Sequence, residues 1–142
     1  MGSKKTKSTK GFTLMELIIV MALLAIIAAI LIPMFLNTTD RARLRSDIQS
    51  ARVIQNAIDL YRVETGRTPA GANVADIMAT LSDAGHLDLR NATEQTEGAI
   101  WTQDSTRGIV VDISASPPNV RDAYANLPDA ERRLVIGTGT GS

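Results

Sequence analysis

From Leu17 to Leu36 the chain runs twenty residues without a charge, and Pro33 is the only one that is not plainly apolar. At about 1.5 Å rise per residue such a run makes roughly 30 Å of helix, one bilayer core. Beyond the polar junction NTTDRAR the pattern changes. Leu44, Ile48, Ala51, Ile54, Ile58 and Tyr61 recur every three or four residues, which predicts one apolar face of a continuing helix. Arg43 with Asp47, and Asp59 with Arg62, have helical-neighbour spacing and are placed on the wet side. Gly66 followed by Pro69 reads as the stop. The expected helix therefore spans 12–65, on the order of 80 Å, with a kink at Pro33.

Shorter patterns follow. Val74, Ile77, Met78 and Leu81 predict a helix over 74–84, ended by Gly85. GAIWTQ and GIVVDIS read as strands joined by a polar turn around DSTR, and RLVI reads as a third. NVRDAYANL, between Pro117-Pro118 and Pro128, predicts a short helix. The fold class is α+β: a long N-terminal helix, half membrane-spanning and half amphipathic, packed against a small antiparallel sheet. The expected division is a basic N-terminal stretch, a membrane segment ending at 36, the amphipathic half at 37–65 and a head at 66–142 with about three strands.

Charge refines this picture. All four lysines (Lys4, Lys5, Lys7, Lys10) precede the apolar run, which orients the N-terminus to the cytoplasm and exports the rest. From Asn37 onward there are eleven Arg against fourteen Asp and Glu, a net of −3, so no basic patch for nucleic acid is evident. The absence of cysteine excludes disulfides, thiolate metal sites and a Cys nucleophile. An ordinary secretory signal fits poorly, because the apolar run is too long and no small-x-small site occurs among Ala22, Ala25, Ala28 and Ala29. Ala25 and Ala29 form a small-xxx-small pair suited to close helix approach. An uncleaved membrane anchor is the plain alternative, and it leaves Glu16, an acid at the mouth of the apolar run, without a purpose.

GFTLMELIIVMALLAIIAAILIPMF resembles the N-terminal signature of type IV pilins and pseudopilins. The resemblance implies cleavage by a prepilin peptidase between Gly11 and Phe12, which makes 1–11 a leader and 12–36 the membrane and assembly helix, with methylation of the new amine at Phe12. Glu16 would then meet the Phe12 amine of a neighbouring copy and set its stagger. Pro33 matches the family's proline and implies local loosening, although Ala25 stands where family members often carry glycine. AIDLYRVETGRTP also resembles the end of the pilin helix. The resemblance further implies self-assembly into a filament, minor pilins or pseudopilins, and an inner-membrane assembly platform driven by a cytoplasmic ATPase. The expected location is the cytoplasmic membrane, then an extracellular or periplasmic filament. A pilus subunit and a pseudopilin of type II secretion or competence both remain open, as does an uncleaved membrane-anchored binding domain.

The head offers little chemistry, and no enzymatic activity is expected. His86 stands alone, so zinc is disfavoured and a structural or solvent role is expected for it. The glycines of GTGTG (137–141) suit a tail better than a phosphate loop. No cofactor is expected. Calcium stays open, because major pseudopilins carry a calcium loop, but the spacing of Asp122, Asp129 and Glu131 commits to no site. Asn37-Thr38-Thr39 and Asn91-Ala92-Thr93 fit a glycosylation pattern only weakly, and Trp101 is placed in the core.

Overall fold

The computed structural model describes residues 11–139; Lys4, Lys5, Lys7, Lys10 and the last part of GTGTG lie outside them. The chain divides into two units, one ending at Phe35 and one beginning at Leu36. Helix α1, Leu14–Thr65, contributes to both, and Pro33 lies inside it. The helix begins two residues later than expected, after a cap formed by Thr13.

In the first unit every described residue from Gly11 to Phe35 is exposed, including the large apolar side chains. A soluble protein buries such residues on folding. This stretch has nothing of its own to bury them against, and α1 is long and apolar enough to cross a membrane.

The second unit is built on the remainder of α1. Leu44, Ile48, Ala51, Ile54 and Ile58 are buried at the expected helical spacing, and Tyr61 packs half-buried beside them. Over them lies α2, Val74–Asp83, through Val74, Ile77, Met78 and Leu81. Asn73 caps α2 by accepting from the Asp76 amide, and Asp76 in return accepts from the Ala72 amide. Gly85 (φ +80°) closes it, with the His86 amide donating to the Leu81 oxygen at 2.8 Å. A 3-10 turn, Leu89–Asn91, follows.

The sheet has the order β1-β2-β3, with β1 Ile100–Asp104, β2 Gly108–Asp112 and β3 Val135–Ile136. β1 and β2 form the expected antiparallel hairpin, with Trp101 opposite Val111. β3 differs from expectation: it joins β2 in parallel, Val111 opposite Val135, so the sheet is mixed. The cause is the connection. After Ile113 the chain turns through α3, Pro118–Ala125, and α4, Asp129–Arg132, and this crossover returns it to the starting end of β2. α3 matches the expected short helix; α4 was not expected. Pro117 and Pro128 sit at their N-caps.

Polar ties fasten the crossover to α1. Arg45 donates to Glu131 at 3.0 Å, and Asn119 donates to Asp40 at 2.7 Å. Gln55 accepts from the Ile109 amide at 3.1 Å and so holds the start of β2 on the helix.

Candidate functional site

Thr13 and Glu16 form a reciprocal capping box. The Thr13 amide donates to the Glu16 carboxylate at 3.0 Å, and the Glu16 amide donates to the Thr13 hydroxyl at 3.3 Å. Two of the helix's otherwise orphan N–H groups are satisfied in this way, and the acid lies where the helix dipole favours negative charge. Thr-x-x-Glu before an apolar run is a readable signature of this arrangement. The sequence reading took Glu16 alone and missed its partner.

Gly11, Phe12, Thr13 and Glu16 line one open recess of about 420 Å³. Gly11 and Phe12 precede the helix, and Phe12 is 90 % exposed. The expected cleavage bond therefore lies in non-helical, accessible chain next to the acid. Pro33 is not part of this group. It lies within α1, where its missing N–H leaves the Ala29 carbonyl without its usual helical donor.

In the second unit the most constrained polar residue is one the sequence reading misplaced. Asp47 is fully buried rather than solvated, and no Arg43–Asp47 ion pair forms. Its carboxylate accepts from the amides of Gln95 and Thr96, both at 2.8 Å. Its own main-chain oxygen accepts from the Trp101 indole at 3.1 Å. A buried carboxylate is tolerable when such charge-assisted bonds satisfy it. Asp47 follows Leu44 by three residues and precedes Ile48, which places it on the apolar face; that position was the available signal. Asp59 and Arg62 do pair on the exposed side, at 3.4 Å.

His86 has a structural setting. Its Nε2 lies 3.3 Å from a Glu64 oxygen, and its ring stands perpendicular to that of Tyr61 in a T-shaped pair. Glu131 is engaged by Arg45 and Asp129 by Arg132. Among the described residues no group of three or more His, Asp or Glu side chains is arranged to hold a metal. In the hairpin turn, Asp104 accepts from the Thr106 and Arg107 amides at 2.9 and 2.8 Å and from the Arg107 guanidinium at 3.1 Å. The Thr106 bond first, then those of Arg107, hold its carboxyl below its ordinary value of 3.8.

Comparison with known proteins gives this arrangement a context. Residues 6–32 match the prokaryotic N-terminal methylation motif. The type II secretion system core protein G of Klebsiella michiganensis is 26 % identical over 65 residues, covering 46 % of each chain. The type IV major pilin protein PilE1 of Neisseria gonorrhoeae is 35 % identical over 74 residues, 52 % of this chain and 45 % of that one. The fimbrial protein EcpC of Eikenella corrodens is 36 % identical over 100 residues, 70 % of this chain and 65 % of that one. The matches span less than half the length of the secretion-system relatives. No solved structure matches significantly. The chain thus carries the methylation motif at the mouth of its apolar helix and is similar, over part of its length, to type IV pilins, a fimbrial protein and type II secretion core protein G.

Proposed function

We propose that this protein is a structural subunit of a type IV pilus-like filament and not an enzyme. It is made as a precursor, cut between Gly11 and Phe12 by a prepilin peptidase, methylated at Phe12 and polymerised through 12–36. The observation that carries this reading is the first unit: an apolar helix exposed along its whole length, headed by one acid. In lipid the bilayer covers those side chains; in a filament the same helices of other copies do. The Glu16 carboxylate then pairs with the cationic Phe12 amine of a neighbour. Removing one partner of such a buried pair strands the other charge, so only the correct stagger satisfies both. Before assembly the subunit is single-pass with its N-terminus inside, served by an inner-membrane platform and accompanied by minor pilins or pseudopilins. Pro33 contributes a locally weakened point in the assembling helix.

A pseudopilin role in secretion is the second reading, favoured by the likeness to the core protein G sequences. Long surface fibres in the native cell select the first reading, and short fibres that depend on a secretion apparatus select the second.

The test is the intact mass and N-terminal peptide of the protein from its native cell. A chain beginning at methylated Phe12 supports the proposal. A chain retaining Lys4 to Lys10 overturns it in favour of an uncut anchor.

A further inference from the structure

We infer that Arg41 and Arg43, in the first turns of α1 beyond its apolar run, hold the phosphate of an anionic phospholipid in the leaflet that the helix leaves. The inference rests on the membrane-anchored stage of the reading above and gives that stage a specific lipid contact.

The apolar run ends at Leu36, and α1 continues through a polar turn to Arg41, Arg43 and Arg45. At about 1.5 Å per residue, Arg41 and Arg43 stand roughly 8 and 10 Å beyond the end of the run. The headgroup layer is roughly 5–8 Å thick on each side of the hydrocarbon. Side chains on a helix lean toward its N-terminus, which on this side of the run is toward the bilayer. The long arginine side chains therefore return both guanidinium groups to the level of the phosphates.

Both cations are available. Neither forms an ion pair among the described residues, and Arg43 is exposed. Arg41 is half-buried, with its Nε lacking an acceptor. The acids bonded beside them are already engaged: Asp40 accepts from Asn119 at 2.7 Å and Glu131 from Arg45 at 3.0 Å. Arg45 is thus neutralised by Glu131, which leaves two cations against the single charge of Asp40. A half-buried guanidinium without a counter-charge is costly, and phosphate is an anion that its planar fork grips through two bonds.

The span itself identifies the occupant. With the apolar run across the bilayer, the next turns of the same helix meet headgroups, and the anion present in that layer is lipid phosphate. Position argues the same way. With Lys4 to Lys10 inside, the arginines stand just beyond the far end of the span, where the orientation rule disfavours cations. An anionic partner on that side offsets the penalty. A subunit that leaves the bilayer for a filament gives this contact up, so anionic lipid opposes its extraction.

The chain has no cysteine, so a single introduced one reports from a single place. Ala42→Cys, exposed between the two arginines, is given a fluorophore, and the full-length chain is reconstituted in phosphatidylcholine vesicles. The quencher is a trace of phosphatidylglycerol or of phosphatidylcholine, spin-labelled near the top of an acyl chain. Such quenching is short-range, so lipid drawn to Lys4 to Lys10 on the opposite face does not contribute. The expected result is stronger quenching by phosphatidylglycerol. That preference should fall roughly two- to fivefold on Arg43→Gln, fall similarly on Arg41→Gln, survive Arg43→Lys and shrink in high salt. Because Arg43 is exposed, its replacement tests the contact even where Arg41→Gln disturbs the head. Equal quenching by the two lipids overturns the inference, as does a preference indifferent to both arginine substitutions; the anchored reading stands in either case. Quenching by neither lipid means that α1 does not enter the bilayer, which removes the anchored reading and the inference together.

Discussion

Trp101 donates its indole N–H to the main-chain oxygen of Asp47, across fifty-four residues of sequence, while the Asp47 carboxylate holds the two amides that lead into β1. One turn of α1 thus fastens both the loop before the sheet and the aromatic residue of its first strand. Asp47→Ala strands the Gln95 and Thr96 amides, of which Thr96 is buried. We expect a loss of roughly 2–4 kcal/mol, at about 1–3 per orphaned group. Asp47→Asn fares little better, because its NH₂ must face a donor. Thermal unfolding of the full chain in detergent checks this, and a wild-type midpoint for Asp47→Ala would refute it.

The hairpin turn predicts a pH effect of defined sign. The folded state holds the Asp104 carboxyl below its ordinary value of 3.8, so the unfolded state takes up its proton first as pH falls. The stabilisation is complete above that value and is lost as pH drops through the lower folded one. Asp104→Asn should therefore flatten the acid limb of the stability profile while lowering stability near neutrality. An acid limb of unchanged steepness in Asp104→Asn would assign the effect elsewhere.

Glu16 has two duties that one substitution separates. Glutamine can still accept from the Thr13 amide, so Glu16→Gln preserves the helix start, whereas Glu16→Ala loses both cap and charge. If the charge pairs with a neighbour's Phe12, both variants insert, are cut and fail alike to assemble, with a deficit on the order of 3–5 kcal/mol per pair. Filament yield by electron microscopy decides the matter. Normal fibres from Glu16→Gln would reduce Glu16 to a cap.

Gly108 opens β2 at φ +79°, and a Cβ there would press into the Gln55 side chain. Gly108→Ala is expected to cost roughly 1–3 kcal/mol, combining left-handed strain with disturbance of the Gln55–Ile109 bond. Gly85→Ala has a similar φ but open space around it, so its loss should be the smaller of the two. Equal losses in denaturation would show that strain alone, and not the Gln55 contact, sets the cost.

Sequence pattern reveals elements held by short-range physics and hides those held by distant ones. The uncharged run from Leu17 and the spacing from Leu44 to Ile58 were enough for α1, since periodicity and hydropathy are local. Asp47 was misplaced because a charge in a helix is usually solvated, and its partners lie forty-eight and forty-nine residues away. The direction of β3 was hidden as well, because a strand of two residues carries no sign of how it pairs; the crossover through α3 and α4 decides it. The Thr13–Glu16 box was legible throughout, at a spacing of three.

The late return of β3 also bears on how the head is made. The hairpin closes over a few residues and can form early, whereas Val111 and Ile113 find their acceptors only at Leu134 and Ile136. Until those residues have emerged during synthesis, β2 presents an unpaired edge to any strand nearby. The interval between completing β2 and completing β3 is thus when a nascent head is most open to mispairing, and α3 and α4 set its length.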